Sequence, residues 1–317
     1  MFTTTSIYSS FLNLLVDQEF DKYGGLVKPW STIPILCIVI GLVFVGVFYV
    51  LGKHLSKKED GKKWADFIIF VNGFIFLTLE VVHEVMQYVK LGHYDFSSFP
   101  FQFCTMPLFL GLLIPFLKDD KKRMPFVYFL STFCFISGFI PLFLGQPQLC
   151  RWDSISLVIR SFEWHLQILG LALFLIGYYK IGTNWKVERK YFMQSVFVFL
   201  SITVIAQLLN TGLHYYGGQY FETPYNPELG MAVKSTAQIN YADPDSASLF
   251  FISPFFRSNM VVFADLWVFC GWFISYVLYV IAFTLGAFGV LGLFFLDRNV
   301  CKKITLNIRN KKLAKAK

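Results

Sequence analysis

Six cysteines stand at positions 37, 104, 134, 150, 270 and 301, and Cys104 differs from the others in its surroundings. It closes the run Pro100-Phe-Gln-Phe-Cys, and proline favours the first turn of a helix, so the spacing predicts a thiol beside a helix N-terminus. The positive end of the helix dipole favours the thiolate there. A thiolate becomes a catalytic nucleophile when a base lies within hydrogen-bond reach. His165 is the first candidate for that base and His83 the second. Cys37, Cys134 and Cys270 read as small packing residues. No CxxC or metal-ligand spacing links the six, so neither a metal site nor a disulfide framework is expected.

Other polar groups recur inside strongly apolar stretches. Glu80, His83, Glu84 and Gln87 follow one another at helical spacing on one face. Gln102 precedes Cys104. Arg160, Glu163, His165 and Gln167 cluster further along, and Thr203, Gln207, Asn210 and His214 form a second stripe, followed much later by Asp265. An ionisable group at membrane depth costs several kcal/mol unless it is paired or faces a cavity. Each cluster also has a purely structural reading. Arg160 and Glu163 form either a buried pair between helices or a substrate contact. The Gln207–Asn210 stripe is either interhelical hydrogen bonding or part of a site. Glu80 and Glu84 either carry protons or cations or pair with Arg160. On the residues alone, a transporter or a generic polar cavity is preferred to a Cys–His catalytic pair.

The elements that hold these residues are apolar. Of 317 residues, 56% are hydrophobic and 15% charged, and the mean hydropathy is +0.55. Soluble domains carry roughly 25% charged residues. Soluble enzymes and nucleic-acid binders are therefore excluded, and an all-α, polytopic membrane bundle is expected. The long non-alternating runs predict seven spans, at 33–52, 67–89, 99–117, 124–145, 154–179, 190–215 and 266–296. Pro107 and Pro115 interrupt the third, which is expected to be kinked or re-entrant. Residues 1–32 form an extracytoplasmic segment with no cleavable signal, 216–264 an outer loop, and 297–317 a basic cytoplasmic tail.

Charge sets the orientation. Segments 53–63, 118–123, 180–190 and the tail after 297 hold 21 of the 28 Lys and Arg residues, and seven spans put all four on one side. The positive-inside rule makes that side cytoplasmic and places the N-terminus outside. Trp30, Trp64, Trp152, Trp185 and Trp267 stand at span ends, where an interfacial belt belongs. In this frame the polar clusters share the outer half of the membrane, which predicts one cavity among spans two, three, five, six and seven.

Two segments carry a resemblance. Glu80-Val-Val-His-Glu-Val-Met-Gln-Tyr, followed by Phe99-Pro-Phe-Gln-Phe-Cys-Thr-Met-Pro-Leu-Phe-Leu, resembles the YwaF-like bacterial membrane proteins and the related transmembrane protein 164 family of acyltransferases. Pro100, Gln102 and Cys104 match the opening of the family's third span. His165 in Phe162-Glu-Trp-His, Asn210 in Gln207-Leu-Leu-Asn, and Asp265-Leu-Trp267 with Trp272 match later positions. The resemblance runs over residues 65 to 290. It departs in a longer loop 216–264 and in Val268-Phe-Cys-Gly-Trp-Phe, where an aromatic-proline run is usual; both bear on substrate choice.

The resemblance implies a thiol-dependent acyltransferase or acyl hydrolase in a cell membrane of bacterial plasma-membrane type. Its partners would be phospholipid or lysophospholipid, with no cofactor and no nucleic acid. Cys104 would be the nucleophile and His165 the base. Gln102, Asn210 or the backbone amides at the start of the third span would stabilise the oxyanion, and Arg160, Glu163 and Asp265 would hold the head group or orient His165, with His83 and Glu84 lining the site. The alternatives are a transporter or channel using Glu80, Glu84 and Arg160, and a non-catalytic scaffold acting through loop 216–264.

Overall fold

A computed structural model describes residues 27–91, 103–144, 149–150, 155–217 and 280–296. Residues 1–26, Gln102, Asp265, most of the outer loop and the basic tail lie outside the described residues. Within them there is no strand, and seven helical segments follow in order. We number them α1 (Thr32–Leu55), α2 (Gly61–Leu91), α3 (Met106–Leu113), α4 (Asp120–Phe143), α5 (Ile155–Tyr178), α6 (Trp185–Gly217) and α7 (Val280–Leu296). Each begins or ends within a few residues of a predicted span; α7 ends with the seventh at 296, and its described part starts 14 residues into it.

Thr32–Leu55, Gly61–Val85, Asp120–Phe143 and Leu157–Tyr178 are long and apolar enough to cross a membrane. Their exposed faces are apolar too: Val39, Val43, Phe44, Val47 and Val50 all project outward from α1. A water-facing surface would not retain so continuous a band. Trp30, Trp64 and Trp185 are exposed at helix starts, and the Trp64 indole N–H donates to the Asp60 carboxylate at 2.8 Å.

α3 is short. It has eight residues, flanked by 3₁₀ turns at Phe103–Thr105 and Ile114–Phe116, with Pro107 in its first turn and Pro115 inside the second 3₁₀ turn. Proline donates no backbone hydrogen bond, which accounts for the helix breaking up at both ends. α4 is irregular in its middle. Pro125 and Pro141 remove two helical donors, and Phe129–Phe133 widens into a π-helical turn that buries Ser131 and Thr132. Asp119 caps the start of α4 by accepting the Lys121 N–H at 2.9 Å.

The chain divides into two compact units. The first comprises residues 1–69, 130–189 and 289–317. Here α1 packs along α5, with Ile38 and Val45 meeting Val158, Phe162 and Leu169, and Cys37 half-buried against the same cluster. Toward the basic end two glycines permit backbone contact. A Cβ on Gly177 would lie 2.7 Å from the Tyr49 carbonyl oxygen, and one on Gly52 would strike the Phe174 carbonyl. Small residues are what membrane helices use to approach this closely. The second unit comprises residues 70–129 and 190–288. In it Gly73 of α2 lies against the backbone of Gly111 in α3, Phe70 meets Phe116 edge-on, and Phe199 of α6 stacks with Phe283 of α7.

Candidate functional site

Cys104 sits in the 3₁₀ turn Phe103–Thr105 that leads into α3. Its side chain is half-buried and not disulfide-bonded. The helix therefore begins later than the sequence suggested. The first-turn proline is Pro107, not Pro100, which lies outside the described residues. The thiol stands just before the helix rather than within its first turn. The reason is that Pro107 imposes the helix start at Met106, and Thr105 occupies the cap position without capping α3 by its side chain. The turn belongs to the second unit.

His165 belongs to the first unit, half-buried on α5. Its Nδ1 lies 2.7 Å from the Ser161 carbonyl oxygen, one turn earlier. A carbonyl only accepts, so Nδ1 carries the hydrogen and donates it. The neutral ring then keeps its lone pair on Nε2, the atom a general base uses. Ser161 repeats the pattern: its hydroxyl donates to the Leu157 carbonyl at 2.9 Å. On the other side of this segment, Gly138 of α4 faces the His165 backbone. A Cβ at 138 would come within 2.8 Å of the His165 carbonyl oxygen, so the glycine lets α4 seat directly against α5 at this turn.

No protein-family model, curated protein or solved structure matches this chain.

The remaining sequence-selected residues separate by unit. Arg160 is half-buried and places its guanidinium over the Trp164 ring, 5.9 Å from the centroid. Glu163 is exposed while Trp164 is buried, because a helix turns successive residues to different faces. On α2, Glu80 is buried and His83 and Glu84 are half-buried. Thr203 is buried, and its hydroxyl donates to the Phe199 carbonyl at 2.6 Å, so this member of the α6 stripe bonds within its own helix. Gln207, Asn210 and His214 lie on the backbone of α6, with side chains outside the described set. Cys104 and the α2 cluster thus fall in one unit, and Arg160, Glu163 and His165 in the other.

Among the buried polar residues that escaped the sequence reading are Asn72, Arg123 and Glu188. Asn72 lies two turns before Glu80 on the same face of α2, 5% exposed. Arg123 counted as a loop charge yet is 1% exposed. Glu188, also in a charged loop, is 2% exposed, and one of its oxygens accepts the N–H groups of Gly182, Thr183 and Asn184 at 2.9, 3.0 and 3.4 Å. That carboxylate organises the turn between α5 and α6, where Gly182 takes a φ of +90° and packs on the Phe294 backbone. The i, i+8 spacing of Asn72 and Glu80 was a usable signal. Nothing local marks Arg123 or Glu188 as buried.

Proposed function

We propose that the protein is a membrane-embedded, thiol-dependent acyltransferase or acyl hydrolase acting on phospholipid acyl esters. The observation that carries this reading is the contact of His165 Nδ1 with the Ser161 carbonyl oxygen, 2.7 Å away. A carbonyl only accepts, so in the neutral ring Nε2 would be the proton acceptor. The resemblance of the Cys104 segment to the transmembrane protein 164 family supplies the nucleophile. In the reaction, Nε2 takes the Cys104 thiol proton and the thiolate attacks the ester carbonyl. A C–S bond forms, the ester C–O bond breaks, and imidazolium returns the proton to the departing lysophospholipid oxygen. A lysophospholipid hydroxyl or water then gives its proton to Nε2 and attacks the thioester, releasing the thiol. The backbone N–H groups at the start of α3, with Gln102 or Asn210, would meet the negative oxygen of each tetrahedral intermediate. Arg160, Glu163 and Asp265 would serve the head group.

This reading includes seven crossings with the N-terminus outside. Four helices have the length and apolarity to cross. α3 with its flanking turns is shorter than the roughly 30 Å hydrocarbon core. It is still taken as a crossing, because Lys118, Lys121 and Lys122 follow it as Lys57, Lys58 and Lys62 follow α1, and basic loops belong on one side.

The test is acyl transfer from a phospholipid labelled in its acyl chain, measured with the full chain in nanodiscs. Cys104→Ala should remove labelled product and the trapped thioester together. Turnover unchanged in that variant would end the proposal. A second reading, solute or proton transport, rests on Asn72 and Glu80, which place buried polar groups at two depths of α2. Flux across proteoliposomes that disappears in Glu80→Gln but persists in Cys104→Ala would select it.

A further inference from the structure

We infer that the outward face of α1 holds one anionic phospholipid of the cytoplasmic leaflet, at a site separate from any chemistry at Cys104. Val43, Gly46, Val47, Val50, Leu51 and His54 line a shallow, open groove along one face of α1. The groove exists because Gly46 interrupts a ridge of valines: a Cβ built there would meet nothing within 4 Å. All its lining is apolar except His54, which stands at one end.

Length and charge identify the occupant. Val43 to His54 is eleven residues of helix, about 16 Å, close to the roughly 15 Å that one leaflet contributes to the hydrocarbon core. One acyl chain lying along the groove therefore brings its phosphate level with His54. Lys57 and Lys58 follow His54 by three and four residues, and the Lys57 and Lys58 N–H groups bond back to the His54 and Leu55 carbonyls at 3.1 Å. That turn continues the helical path, so both lysines, exposed, follow the groove's end. Lys53 is directed elsewhere, over the Tyr49 ring at 5.1 Å. Of the acidic neighbours, Asp60 accepts the Trp64 indole N–H at 2.8 Å and Glu59 is exposed. Across residues 53–63 five lysines stand against Glu59 and Asp60, so the balance at this end of α1 is positive, which fits a phosphate diester with a neutral head and not a zwitterionic head. A second copy of this chain would need an apolar partner along the whole helix, and would gain nothing from a basic rim at one end.

The test uses the full chain, delipidated in detergent and offered phosphatidylglycerol or phosphatidylcholine of identical acyl chains, with bound lipid counted by native mass spectrometry. Retention of phosphatidylglycerol at least about ten-fold above phosphatidylcholine is expected. Lys57→Gln with Lys58→Gln should weaken phosphatidylglycerol about 25-fold, or some five-fold per charge, and leave phosphatidylcholine unchanged. Gly46→Leu, which fills the groove without a clash, should weaken both lipids. Equal retention of the two lipids by the native chain overturns the inference. So does a preference that survives the lysine changes, or a Gly46→Cys chain that forms a disulfide-linked dimer in the membrane. None of these residues belongs to the proposed acyl chemistry, so acyl transfer should continue in every variant, and the two proposals fail independently.

Discussion

At the scale of single residues, the imidazole of His165 is the most informative group. A backbone carbonyl one turn away fixes which nitrogen carries the hydrogen, and a helix carbonyl cannot rotate to offer another choice. If Nε2 serves as the base for Cys104, His165→Gln should lower acyl transfer by about 10²- to 10⁴-fold. It should also slow alkylation of Cys104 by iodoacetamide at neutral pH, followed by peptide mass spectrometry. Lost turnover with an unchanged alkylation rate would mean that His165 does not activate the thiol. Cys104 and His165 stand out in the sequence because a polar type inside an apolar run is conspicuous. Whether they pair is not legible, since a separation of 61 positions carries no information about distance in space. Arg123 and Glu188 failed for the opposite reason. A charge in a charged loop looks the same whether water or protein surrounds it.

Elements were read more securely, because crossing a lipid bilayer demands about 20 apolar residues in sequence, and such runs are hard to mistake. The deviations came where proline acts locally. The sequence reading took Pro100 as the helix-starting residue, whereas Pro107 occupies the first turn of α3 and moves Cys104 into a 3₁₀ turn. The spacing of Pro107 from Thr105 was the overlooked signal. Packing between elements makes a comparative prediction for two glycines. Gly177 lies 2.7 Å, by its absent Cβ, from the Tyr49 carbonyl, while Gly46 faces open space. Gly177→Leu should separate α1 from α5 and cost about 1–3 kcal/mol, seen as a lower midpoint of thermal unfolding in detergent. Gly46→Leu should leave that midpoint in place. Equal effects would mean that α1 does not pack on α5 through its glycines. The α5–α6 turn behaves likewise. Glu188→Ala strands donors that include the buried Gly182 N–H and should cost at least about 1–3 kcal/mol, whereas Glu188→Gln keeps an oxygen there and should cost less.

For the whole molecule the decisive quantity is the side of the membrane on which each basic loop lies. Four long apolar helices are compatible with several topologies, and α3 is the element that separates them. If α3 crosses, the loops at 53–63 and 118–123 share the cytoplasmic side. If α3 turns back, Lys118, Lys121 and Lys122 lie outside, against the positive-inside rule. The anionic-lipid site inferred on α1 requires the same orientation, because its basic rim belongs where anionic lipid concentrates, in the cytoplasmic leaflet. Lys58→Cys and Lys122→Cys, each probed with a membrane-impermeant maleimide in intact cells, should both stay unlabelled and should both react once the membrane is opened. A cysteine placed at Asn226 in the outer loop should react in intact cells. Labelling of Lys122→Cys from outside would remove the third crossing and with it the seven-span arrangement. The lipid site at His54 would survive that result, since it depends on α1 alone, whereas a Lys58→Cys chain labelled from outside would place the groove in the wrong leaflet and end that inference as well.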